Sequence, residues 1–150
     1  MDSSTIIQIV AGIMFLAIFV AYMAFIATLF AALARCSTTS RTMAPGTVWF
    51  MLVPLVNLVW QFFVVFALAD SLANEFRARE IPNVEPQPGK SVGIAMCVCA
   101  CCGIVPLVNL LALPAHLVLL IVYWVKIAEL SRRLDTAPVM LGSPNNTSGF

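Results

Sequence analysis

The sequence predicts an all-α integral membrane protein: a bundle of four spanning helices arranged as two tandem helical hairpins. Three observations point there. Of 150 residues, 61% are hydrophobic and only 10% are charged, whereas a soluble domain carries roughly a quarter charged. The mean hydropathy is +0.99, and the apolar runs are long enough to cross a bilayer, whose hydrocarbon core takes about 20 helical residues. The hexapeptide VPLVNL also occurs twice, at 53–58 and 105–110, as duplicated halves would require.

The first element is a span over about 6–34, with Gln8 and Thr28 as its clear polar interruptions. It reads as retained, not as a cleaved leader. The opening MDSST has no Lys or Arg, the apolar stretch is about twice a signal core, and in LARC Arg35 stands where lipoprotein cleavage needs a small residue. Ala17, Ala21, Ala24, Thr28 and Ala31 recur at spacings of 4, 3, 4 and 3. Such a small-residue seam predicts the face on which this helix packs closely against another.

The second span covers about 47–72. After it, REIPNVEPQPGK (79–90) reads as a polar linker, with three prolines that keep it extended. The run 91–125 is uncharged over 35 residues, long enough for two spans, about 91–108 and 112–132, joined by a tight turn. Lipid cannot satisfy free backbone groups, and the runs lack the alternation of barrel strands, so each span is a helix. This gives one membrane domain over 1–134, with halves 6–79 and 91–134, and a tail over 135–150.

With four spans, both termini and the middle loop share one side. That side holds Arg77, Arg79, Lys90, Lys126, Arg132 and Arg133, against Arg35 and Arg41 on the other. The excess predicts that both termini are cytoplasmic.

The halves resemble each other beyond the hexapeptide. Glu75 and Arg79 close one, Glu129 and Arg133 the other, each in the favourable Glu-to-Arg order four residues apart. Both hexapeptides fall toward the outer face in this topology. Pro54 and Pro106 cannot donate a backbone hydrogen bond. Asn57 and Asn109, three residues on, can bond a neighbouring helix for about 0.6–2 kcal/mol. VPLVNL therefore predicts a kink or helix start that pins the outer ends of the hairpins, the second copy being part of a turn.

The stretch PGTVWFMLVPLVNLVWQFFVVFALADSL (45–72), with IVYWVKIAEL (121–130), resembles an uncharacterised family of small bacterial four-helix membrane domains. These carry Pro-Gly, then an aromatic-rich span with Pro-x-x-Asn. The resemblance implies a bacterial source and a four-helix membrane fold, and no activity. Members often have a soluble module ahead of the helices. This sequence opens directly on its first apolar run, so no recruiting role carries over.

Candidate chemistry is sparse. Net charge is +1, which gives a nucleic-acid partner no electrostatic support. Within CVCACC, Cys97 and Cys101 share a helix face and are weak candidates for a soft metal. A second pair or a converging His is missing, and small apolar packing accounts for them. His116, the one histidine, could bind haem or relay protons, but an interfacial hydrogen bond is the simpler role. Asn57, Trp60 and Gln61 share a face; with Asn109 and His116 they could line a polar path. No nucleotide loop, metalloprotease helix or nucleophile elbow is present.

The expectation is a non-enzymatic structural or accessory subunit of the bacterial inner membrane. It needs no cofactor, and its partners are lipid and other membrane subunits or itself. The alternatives are a small transporter or channel with a polar path between the hairpins, and a thiol or soft-metal membrane protein.

Overall fold

A computed structural model describes residues 2–137, all of them helix or connection, with no strand among them. Four α-helices and one 3-10 helix follow in order: α1 (Ser3–Arg35), the 3-10 helix (Pro45–Leu52), α2 (Pro54–Ala78), α3 (Lys90–Cys102) and α4 (Pro106–Thr136). The helices α1, α2 and α4 are long and apolar enough to cross a membrane. Most of the expected tail lies beyond Ala137, outside the described residues.

Local sequence sets each boundary. At Cys36 the chain turns extended, with ψ 141°, as STTSRTMAPG begins. Its Ser and Thr side chains compete for backbone groups, and its Pro-Gly cannot continue a helix. Pro54 and Pro106 both occupy the first helical position, where a missing N–H costs nothing. The preceding valines match closely: Val53 has φ −85° and ψ 110°, Val105 φ −84° and ψ 117°. VPLVNL is thus a helix start in both copies. It is not a kink, and the internal proline of α4 is Pro114.

The end of α2 is a Schellman-type cap. Ile81 N–H donates to Phe76 O at 3.0 Å and Glu80 N–H to Arg77 O at 3.1 Å, with Glu80 left-handed at φ 52°.

The packing overturns the first of the two expected hairpins and keeps the second, α3 against α4. Tyr22 of α1 donates to Met51 O, just ahead of α2, while Ser37 beyond the far end of α1 bonds Glu75 near the end of α2. Those two helices therefore run parallel. Thr28 pairs with Trp124, and Arg35 with Ser131, so α1 and α4 are parallel as well. Helix α3 runs antiparallel to its neighbours: Gly93 faces Val65 of α2 and Tyr123 of α4, and His116 reaches back to Met96.

The architecture is three parallel long helices joined by two short returns. A 3-10 helix of 8 residues rises only about 16 Å, and α3, at 13 residues, about 20 Å. The expected second span divides at Val53. The expected third and fourth spans meet at 103–105, not 109–111, because Pro106 suits a helix start better than an interior.

Parallel helices also redistribute the charge. Arg35 meets Asp135, and the loop after α1 bonds Ser71 and Asn74 of α2. Arg35 and Arg41 therefore join the other six basic residues at one end. Every acidic residue except Asp2 is there too. The described starts of α1 and ends of α4 lie at opposite ends of the bundle, so the argument for two termini on one side fails with the first hairpin.

The core holds Phe25, Ile26, Leu29 and Leu33 of α1, Val64, Leu68 and Leu72 of α2, Met96 and Cys97 of α3, and Tyr123 and Ile127 of α4. Gly93 permits this: a methyl there would lie 2.5 Å from Val65 Cγ1 and 2.9 Å from Tyr123 Cε2. Among the described residues the alanine seam makes no packing face over its first half, while its member Thr28 accepts a hydrogen bond from Trp124 of α4. Ala17, Ala21 and Ala24 are exposed and Ala31 is half-buried. The large residues on the other face of α1 make the contacts, and every described residue before Tyr22 is exposed.

Candidate functional site

Three places concentrate polar groups. The first joins the C-terminal ends of the long helices. Glu75 sits past the apolar part of α2, 3% exposed. Its carboxylate accepts from the Ser37 N–H and hydroxyl, each at 2.8 Å, and pairs with Arg79 at 2.7 Å. Burial alone would raise this carboxyl. Ser37, Arg79 and Ser40 outweigh it and hold the group below its usual 4.5.

Arg79 extends the network. Its Nη1 donates to Leu134 O at 2.8 Å and its Nη2 to Arg35 O at 3.4 Å. Arg35 in turn donates to Ser131 at 2.9 Å and to Asp135 at 2.8 Å. One knot of side chains and carbonyls thus fastens α1, α2 and α4. Cys36 is buried beside it. Burial, then the Glu75 charge, push its thiol up to about 11, against a smaller opposing pull from Arg79 and Arg41. The neighbouring pairs Lys126–Glu85 and Arg133–Glu129 are more exposed, where an ion pair contributes at most about 1 kcal/mol.

The second place is the inner face of α2. Gln61 is 5% exposed. Its Nε2 and the Oδ1 of Asn57, one turn earlier, are buried without hydrogen-bond partners. Trp60, on the same face by spacing, donates to Thr47 O at 2.9 Å and braces the 3-10 helix.

The third is a groove of about 340 Å³ between α3 and α4, lined by Cys99, Gly103, Asn109, Ala112 and His116 among others. His116 Nδ1 lies 3.0 Å from Met96 O, bridging the two helices. The amides expected to share one path are thus divided. Asn109 and His116 line this groove; Asn57 and Gln61 do not.

Cys97 is buried in the core, while Cys101 lines an apolar pocket with Leu58, Val59 and Phe62. Among the described residues no group of three or more His, Cys, Asp or Glu side chains is placed to hold a metal.

The sequence did not mark the members of the knot other than Glu75 and Arg79. The Glu-to-Arg spacing signalled an intrahelical pair, but the capping of two other helices depends on their parallel course. Ser37, Ser40 and Ser131 carry no pattern that distinguishes them from loop or helix-surface serines.

Comparison with protein-family models, curated proteins and solved structures found no match.

Proposed function

We propose that the chain is a non-enzymatic integral membrane protein, a structural or accessory subunit of a membrane assembly, in the bacterial inner membrane that the resemblance of residues 45–72 implies. The observation that carries the reading is the unpartnered first half of α1. Ile7 is 68% exposed and Phe15 73%, and nothing among the described residues covers either. A bilayer core of about 30 Å needs only about 20 of the 33 residues of α1. The excess offers a neighbouring subunit a long apolar handle. The polar groups of the knot, by contrast, bond to each other and to helix-end carbonyls.

In this reading the charged end faces the cytoplasm, as the distribution of all eight basic residues favours. The start of α1 lies on the other side. A photo-crosslinking residue at Phe15 in native membranes tests the assignment. Discrete protein adducts support a subunit role, and adducts to lipid alone refute it.

The buried Asn57 Oδ1 and Gln61 Nε2, each without a hydrogen-bond partner, favour a second reading, a small transporter or channel. Flux in liposomes that disappears with Asn57→Leu would support it. No flux for any ion or small solute would exclude it.

A further inference from the structure

We infer that both VPLVNL turns lie in the hydrocarbon of the bilayer, against acyl chains of the far leaflet. The 3-10 helix with α2, and α3 with α4, then enter from the charged side and return to it, and α1 alone passes beyond the far boundary of the hydrocarbon. The inference rests on the membrane placement proposed above and adds the depth of the turns.

Length is the first argument. Counting back from Asp70, the last charge on α2 before the turn, Pro54 is 16 residues away, about 24 Å along the axis, against a core of about 30 Å. Counting back from Lys126, Pro106 is 20 residues away, or about 30 Å. The first turn stops short of the far boundary and the second only reaches it. Asp70 and Lys126 share a level, since both bond the connecting loop, at Gln87 and Glu85.

The surface of the turns is the second argument. Leu55 and Leu107 are each 91% exposed, Leu110 82% and Ile104 65%. No charged side chain lies between Arg41 and Asp70 or between Lys90 and Lys126 to hold a turn in water. Leucines this exposed at equivalent positions of both copies suit an apolar solvent.

Hydrogen bonding is the third. Lipid tolerates irregular backbone only where its groups find partners. Here the irregular stretches are Val53 alone and residues 103–105. Val53 N–H donates to Phe50 O, Ile104 N–H to Cys101 O and Val105 N–H to Cys102 O. Pro54 and Pro106 bring no N–H. Asn57 and Asn109 N–H close back on Val53 O and Val105 O at 2.7 and 2.8 Å. Tyr22 supplies a hydroxyl to Met51 O at 3.1 Å.

The test uses wild-type protein in vesicles and a photoactivated apolar carbene precursor that partitions into acyl chains, with modified peptides located by mass spectrometry. Residues 52–58 and 104–110 should be modified as heavily as residues 13–20 of α1, and unmodified turns would overturn the inference. Leu55→Cys and Leu107→Cys, in a chain whose five native cysteines are replaced, add a second measurement with a membrane-impermeant maleimide. Both should stay unlabelled from either side and label once dissolved in SDS. Labelling of either from the side that labels Ser4→Cys, at a comparable rate, would overturn the inference. If Ser4→Cys and Arg132→Cys label from the same side, the proposed orientation fails while turn depth is still read by the carbene.

Discussion

Replacing Gly93 by alanine tests the three-helix contact most directly. Alanine is the better helix former by about 1 kcal/mol, so an uncrowded glycine should gain stability on the exchange. At Gly93 the new methyl would stand 2.5 Å from Val65 Cγ1, 2.9 Å from Tyr123 Cε2 and 3.0 Å from Val65 Cγ2. Val65 is 2% exposed and Tyr123 1%, so neither side chain can swing into open space. The helices must separate, and overpacking of this kind costs about 1–3 kcal/mol. Gly12 supplies the control, because a methyl there meets nothing within 4 Å. Gly12→Ala should be neutral or up to about 1 kcal/mol stabilising. Gly93→Ala should fall below it by about 1–3 kcal/mol, the overpacking term. The assay is SDS-titrated unfolding in mixed micelles, followed by tryptophan fluorescence. If Gly93→Ala matches Gly12→Ala, α3 does not pass between α2 and α4 as described.

Glu80→Gly should stabilise the fold by about 0.5–1 kcal/mol, since glycine adopts the left-handed φ of 52° without steric cost; the same titration checks it, and a loss would refute the cap geometry. Glu75→Gln leaves Arg79 in a poorly hydrated site without its charge partner and should cost about 3 kcal/mol or more, as breaking a buried pair does; a midpoint unchanged from wild type would contradict the knot. Because the folded Glu75 carboxyl lies below its usual 4.5, its contribution is complete above that pH and is lost as the pH falls through the folded value. Unfolding midpoints should drop on acidification below about pH 4.5 in wild type more than in Glu75→Gln. Cys36, its thiol pushed up to about 11 and its side chain buried, should resist maleimide at pH 8 until the protein unfolds; rapid modification of the folded protein would count against its burial.

The long apolar helices were legible in the sequence because hydropathy records which residues avoid water. Direction is another matter. Residues 47–69 form one apolar run whether the chain crosses once or folds back at Val53, since a 3-10 return and a spanning helix need the same side chains. Only Pro54 marked the break, and proline is compatible with both a kink and a start. Counting the first return as part of a span gave α1 the wrong sense while α2, α3 and α4 kept theirs, and Arg35 and Arg41 were assigned to the wrong end. The seam at Ala17, Ala21 and Ala24 had the right period, but period does not say whether a partner lies within the same chain. Of the polar sites, Asn57 and Gln61 were visible as isolated amides in apolar sequence. The knot around Glu75 was not, because it is assembled from helix ends that become neighbours only through the parallel packing.

The parallel course has an electrostatic consequence. Each long helix carries roughly half a negative charge at its C-terminal end, and here three such ends are gathered together. Their dipoles repel one another side by side, most strongly where lipid replaces water. The Arg79 guanidinium touches carbonyls near the ends of both α1 and α4, and so neutralises the ends of two helices from a third. Removing its charge should therefore loosen the whole cluster of helix ends, and more in a bilayer than in a hydrated micelle.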